Sequence, residues 1–205
     1  GKQLTVRCLA VPDAAEDAVQ KARDLQLERV RTIAPVRETV RTMVDEKLRF
    51  DEPLKEEGQQ DGSLRPLWKW AYDHGGDGYS FNGVGYAVFD ASGRPSPPQV
   101  CVDFVLDAYE RASGTWYGGR EQPRERLRGA VDFDATDLVN RRSAAEVVKF
   151  AVAHPEMFDV WTPTDDERVP YGKRGEFFAS LATQSERFHP GDIVVIHGFK
   201  SDGQV

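Results

Sequence analysis

Cysteine is scarce in this chain: among 205 residues only Cys8 and Cys101 carry a thiol. Two are too few for a disulfide framework, and they lie too far apart in the sequence for zinc-ligand spacing. No metal or cofactor is expected. Histidine is also rare, with four, so acid–base chemistry has few candidates. A surplus of positive charge is missing as well. The formal net charge is −7 and the basic residues are interspersed with acids, which argues against a nucleic-acid binder, since phosphate contacts need a basic surface. Long apolar runs are absent too. None approaches the roughly 20 residues that span a bilayer, and Gly1-Lys-Gln-Leu4 has neither an initiator Met nor a signal-peptide core, as expected of a processed or trimmed start.

What is present is enough for a core. Hydrophobic residues make up 40% of the chain and aromatics 10%, which predicts one principal globular unit carrying a helical extension. Asp13-Ala-Ala-Glu16 is a capping-box-like start, and Ala15, Ala18, Ala22, Leu25, Val30 and Ile33 follow at helical spacing. Pro35 then predicts a break, after which Val36, Val40, Met43, Val44 and Leu48 resume the stripe. These two helices are a candidate partner-binding pair, and the polar stretch 51–63 is a loop. Leu67 to Tyr72 is compatible with a helix or a strand. Gly83 to Phe89 reads as a strand ending in the turn Asp90-Ala-Ser-Gly93, and 114–137 as a long loop. Ser143-Ala-Ala-Glu146 opens a helix that must stop before Pro155, and another helix covers Gly175 to Gln184. Ile193-Val-Val-Ile196, a run of β-branched residues, reads as a buried strand. Helices and short strands in this order predict an α+β fold.

Chemistry concentrates at Cys101. Ser96-Pro97-Pro98-Gln99 cannot continue a helix backwards, so the amphipathic segment 101–111 must begin near the cysteine. Unpaired backbone N–H groups and the positive end of the helix dipole favour a thiolate at such a place. The stripe Cys101, Phe104, Val105, Ala108, Ala112 predicts that Cys101 faces inward at the first turn. Asp103 reads as a cap. A thiol nucleophile needs a histidine base. His74 lies in the acidic loop Asp73-His-Gly-Gly-Asp77, His154 at a helix end and His189 at a turn. His197 follows the apolar run 193–196, and a strand end is a reasonable place for a base.

Cys101-Val-Asp-Phe-Val at a helix start, followed at a distance by Pro190-Gly-Asp-Ile-Val-Val, resembles the NlpC/P60 and CHAP superfamily of papain-like cysteine peptidases and amidases. The stretch between them, with Asn140-Arg-Arg-Ser143 and the helix up to Phe158, is similar in layout to the bacterial DUF1287-type branch. The resemblance covers about residues 83–205. It implies a papain-like fold in which the cysteine helix packs on a small antiparallel sheet. Residues 66–205 would form this domain, cut short on its C-terminal side, and residues 1–65 a helical extension and linker.

The same resemblance implies Cys101 as the nucleophile. The superfamily's base falls on the strand after Pro-Gly-Asp, at or just beyond Val205, and His197 is the substitute within the chain. Gln99 is the candidate oxyanion donor, because the position before the cysteine, often Asp, Asn or Gln, is Val100 here. The implied activity is hydrolysis of peptide or amide bonds in bacterial cell-wall peptides, in the periplasm or outside the cell. Two alternatives stand beside it: a catalytically silent cell-wall- or protein-binding module of the same fold, and a thiol acyltransferase.

Overall fold

The computed structural model describes residues 16–51, 62–184, 187–189 and 191–196. Cys8, His197 and the expected cap at Asp13 lie outside the described residues, as does most of the 51–63 loop. Helices combine with two small antiparallel sheets in an α+β architecture. The order is α1 (Glu16–Glu46), α2 (Leu64–Asp73), β1 (Gly78–Phe81), β2 (Val84–Ala87), α3 (Cys101–Ala112), β3 (Trp116–Tyr117), β4 (Arg126–Leu127), α4 (Ala144–Ala153) and α5 (Arg174–Thr183).

The predicted break at Pro35 does not occur, and α1 runs straight through it. A proline inside a helix removes one intrahelical hydrogen bond and costs about 3 kcal/mol. Here the ring sits on an exposed face, and the helix beyond it is held by docking. Met43 is buried, and Glu46 receives a bidentate ion pair from Arg111 of α3 at 2.6 and 2.7 Å. Among the described side chains of α1, Ile33, Val36, Val40 and Met43 are covered, whereas Val19, Leu27 and Val30 stay exposed.

Leu67 to Tyr72 resolves as helix. Trp68, Ala71 and Tyr72 fall on one face of α2 and are buried, while Trp70 points outward, the 3.6-residue periodicity that a strand could not satisfy. They pack with Val88, Phe89 and Tyr117 into the first core. The strand expected at Gly83 to Phe89 is β2, paired with β1 in a hairpin whose register sets Tyr79 opposite Tyr86. Its turn is Asn82-Gly83, with φ of 50° and 78°, the left-handed pair that a two-residue hairpin requires. The expected long loop at 114–137 contains a second short hairpin, β3–β4, and a 3-10 turn at Phe133–Ala135. The predicted helix at Ser143 is α4, whose first turn is capped by the Ser143 hydroxyl accepting from Glu146 N–H. The predicted last helix is α5.

Two expectations fail on packing, the second in part. Ile193 to Ile196 form no strand and remain 38–44% exposed. Both sheets among the described residues are two-stranded hairpins, and neither pairs with the run. The inward stripe on α3 holds only in part. Ala108 is buried and Phe104, Val105 and Ala112 are half-buried, but Cys101 is exposed, and Asp103, Leu106, Asp107 and Glu110 also lie fully inside. Helix α3 packs chiefly along α1 and touches β3. Its acidic face turns toward arginines from three other segments, and the second core, Leu106, Phe133 and Phe150, lies on that side too.

Candidate active site

The helix that carries Cys101 is placed by charge. Asp107 accepts four donors: Arg65 Nη1 and Nη2 at 2.8 Å each, Arg141 Nη2 at 2.9 Å and Gln99 Nε2 at 2.6 Å. Glu110 receives Arg141 at 2.8 Å, Arg126 at 2.8 Å and the Phe133 N–H at 2.8 Å. Asp134 takes Arg141 at 2.6 Å and Arg126 at 2.5 Å. Burial works against the charge of Arg65, but Asp107 and Asp103 outweigh it and hold the guanidinium above its ordinary pKa. Burial also pushes the Asp134 carboxyl upward, and Arg141 and Arg126 overcome it, so Asp134 sits below the usual carboxylate range.

Taking these ions from water costs several kcal/mol each, and the mutual attraction offsets that only where the remaining hydrogen bonds are made. The network therefore fixes geometry more than it adds stability. It admits one rotation and one register of α3, the setting in which Asp103, Asp107 and Glu110 all meet their arginines.

The chain enters α3 through a tight junction. Pro97 and Pro98 are fully buried, and Gln99 and Val100 are each 7% exposed. Gln99 is tied to residues 49–51 by backbone bonds at 2.9 Å to Arg49 and Asp51. Val100 is extended, at φ −93° and ψ 173°, and being aliphatic it offers no side-chain cap. Asp103 fills the other half of a capping box, its Oδ2 accepting the Val100 N–H at 2.9 Å. Phe104 is the first α3 residue whose N–H bonds back, to the Val100 carbonyl at 3.1 Å. The amides of Cys101, Val102 and Asp103 stay unpaired among the described residues. Cys101 itself is an exposed free thiol immediately after four buried residues.

Two sequence motifs meet near this helix. The Tyr109 hydroxyl donates to the carbonyl of Gly191 in the Pro-Gly-Asp turn, about 12 Å along the axis from Cys101 at 1.5 Å per residue. Gly191 has φ +104°, and a Cβ there would collide with the Ile33 side chain of α1. Only glycine satisfies both demands. The turn lines a cavity of about 400 Å³ between α1 and α3, walled by Ile33, Val36, Val40, Phe104, Val105 and Ala108.

No protein-family model, curated protein or solved structure matches this chain. The site is therefore read from its own geometry. Gln99, the candidate oxyanion donor, is buried, and its amide is directed at Asp107. The described histidines have other partners; the His189 ring Nδ1 lies 3.7 Å from Asp192 Oδ2. His74 stacks on Trp70 at 4.4 Å and bonds its carbonyl at 2.8 Å. The backbone N–H of His189 donates to Asp192 at 2.7 Å. His154, just past α4, lies between Glu156 at 2.8 Å and Asp137 at 3.0 Å. Among the described residues no cluster of metal-binding side chains occurs and no helix is long and apolar enough to cross a membrane.

The Glu156 hydrogen bond is the main reason that His154 titrates above its ordinary value, with Asp137 adding to it. A raised folded pKa means stabilisation that is complete below the unfolded value near 6.5 and is lost as pH rises through the folded one. We expect His154→Gln to lower the urea midpoint at pH 6 and to match the parent at pH 9; equal differences at both pH values would exclude this coupling.

Sequence reading took Asp103 for a cap, which it is, but missed that it, Asp107 and Glu110 are buried ions. Asp103, Asp107 and Glu110 share one helical face at i, i+4 and i+7, and that spacing beside Arg141-Arg142 was the available signal.

Proposed function

We propose that this chain is a thiol-dependent hydrolase of peptide or amide bonds, with Cys101 as its nucleophile on a papain-like version of the α+β architecture. The observation that carries the reading is the exposure of Cys101 at the first position of α3, directly after four buried residues and beside unpaired first-turn amides. A cysteine kept only for packing belongs inside.

In this mechanism Cys101 Sγ attacks the substrate carbonyl, and the oxyanion lies against the N–H groups that open α3. A histidine takes the thiol proton and returns it to the leaving amine, and water then cleaves the thioester. His197 is the candidate base in this chain. The resemblance points to bacterial cell-wall peptides as substrates, in the periplasm or outside the cell.

The test compares the parent with Cys101→Ala on peptidoglycan-derived peptides, following amine release. Loss of kcat/KM by about a thousandfold or more is expected, with an unchanged urea midpoint and, in the parent, faster iodoacetamide labelling of Cys101 than of Cys8. Amide cleavage by the alanine variant at the parent's rate would eliminate Cys101 as the nucleophile, and a parent that cleaves no amide would leave the binding module of the same fold.

A further inference from the structure

One carboxylate closes the junction before the thiol. Asp103 is fully buried, and its Oδ2 accepts both the Val100 N–H at 2.9 Å and Arg142 Nε at 3.0 Å. Its Oδ1 faces Arg65 Nε at 3.8 Å and has no hydrogen-bond donor. Arg142 is pinned in turn by Asp51 Oδ2 at 2.7 Å and the Gly62 carbonyl at 2.7 Å. Asp51 also accepts the Leu64 and Arg65 N–H groups that open α2, at 2.9 and 3.0 Å. Segments around residues 51, 62–65 and 142 thus converge on Val100, the residue bonded to Cys101.

We propose that Asp103 is the positioning residue for Cys101: through Val100 and Arg142 it fixes the start of α3 so that the thiol faces outward beside the open first-turn amides. The inference rests on Cys101 being the reacting group. Among the described residues no other side chain caps this helix start, because Val100 has no polar side chain. Without Asp103 the Val100 N–H and Arg142 Nε both lose their buried acceptor, and the first turn that carries the thiol loses its anchor.

The groups facing Asp103 are Arg65 from α2, Arg142 from the segment before α4, and Asp107 one turn along α3. Burial raises the Asp103 carboxyl most, Arg65 and Arg142 oppose that, and Asp107 adds to it. Asp103→Asn keeps an oxygen for Val100 but removes a negative charge from beside the helix start, whereas Arg142→Gln removes a positive one. The two changes act on a nearby thiolate in opposite directions.

The experiment measures the iodoacetamide rate at Cys101 against pH, and kcat and KM on an amide substrate, in the parent, Asp103→Ala, Asp103→Asn and Arg142→Gln. Expected are alkylation midpoints shifted by about half a pH unit, toward acid in Asp103→Asn and toward alkali in Arg142→Gln. In Asp103→Ala a tenfold or larger fall in kcat is expected with KM within twofold, largely restored by asparagine. If Asp103→Ala does not fold, the asparagine and Arg142→Gln profiles decide alone. Unmoved profiles in an enzyme that still depends on Cys101 would overturn the positioning role. Shifted profiles in a protein that cleaves no amide would leave that role standing and remove the hydrolase reading.

Discussion

Asp107→Ala is expected to lower the unfolding free energy by about 3–5 kcal/mol, the range for removing one partner of a buried ion pair. The reason is what remains behind. Arg65, Arg141 and Gln99 all direct donors at this carboxylate, and alanine leaves two guanidinium groups inside without it. Against a domain stability of about 5–15 kcal/mol, the loss is large enough to read as a displaced urea midpoint. Replacing Asp107 and Arg65 together by apolar residues of similar volume should cost less, because Arg141 keeps Glu110 and Asp134, and Asp103 keeps Arg142. An unfolding free energy within about 0.5 kcal/mol of the parent for Asp107→Ala would mean that water reaches the network and that α3 is held by its apolar contacts alone.

Trp68→Ala should cost a similar about 3–5 kcal/mol, for a different reason. Trp68 is completely buried, stacks on Tyr72 at 5.3 Å, meets the edge of Tyr117 at 4.8 Å and donates its indole N–H to the Val88 carbonyl at 2.8 Å. Truncation empties the middle of the first core and leaves the Val88 carbonyl with the Ser96 N–H, at 3.0 Å, as its remaining donor. Trp70, two positions on, is 63% exposed, and Trp70→Ala should change stability by no more than about 0.5 kcal/mol. Chemical denaturation of the two variants side by side checks the assignment of α2 as helix. Equal losses would contradict it, since a helix places residues two apart on different faces.

The elements legible in the sequence are those with a local chemical cause. Ser143 and Glu146 marked the start of α4, Pro155 bounded its end, and the proline pair before Gln99 fixed where α3 begins. The β1–β2 hairpin was half legible, because the Asn82-Gly83 turn was present but only the second strand was read. Pro35 misled because local preference predicted a break that docking on α3 outweighs. Ile193 to Ile196 misled in the opposite sense, since β-branched residues favour a strand but cannot supply the neighbour it needs.

Cys101 shows where the two kinds of information divide. The sequence by itself determined that a helix starts at this cysteine, because proline stereochemistry and the Asp103 cap act over a few residues. It also supplied the motif order on which the hydrolase proposal stands. Only the tertiary structure decided which way the helix faces. Apolar periodicity turned Cys101 inward, but Arg65, Arg126, Arg141 and Arg142 arrive from distant positions and draw Asp103, Asp107 and Glu110 inside. A buried carboxylate needs its counter-ion far more than a thiol needs cover, so that pairing set the rotation of α3 and brought the cysteine to the surface.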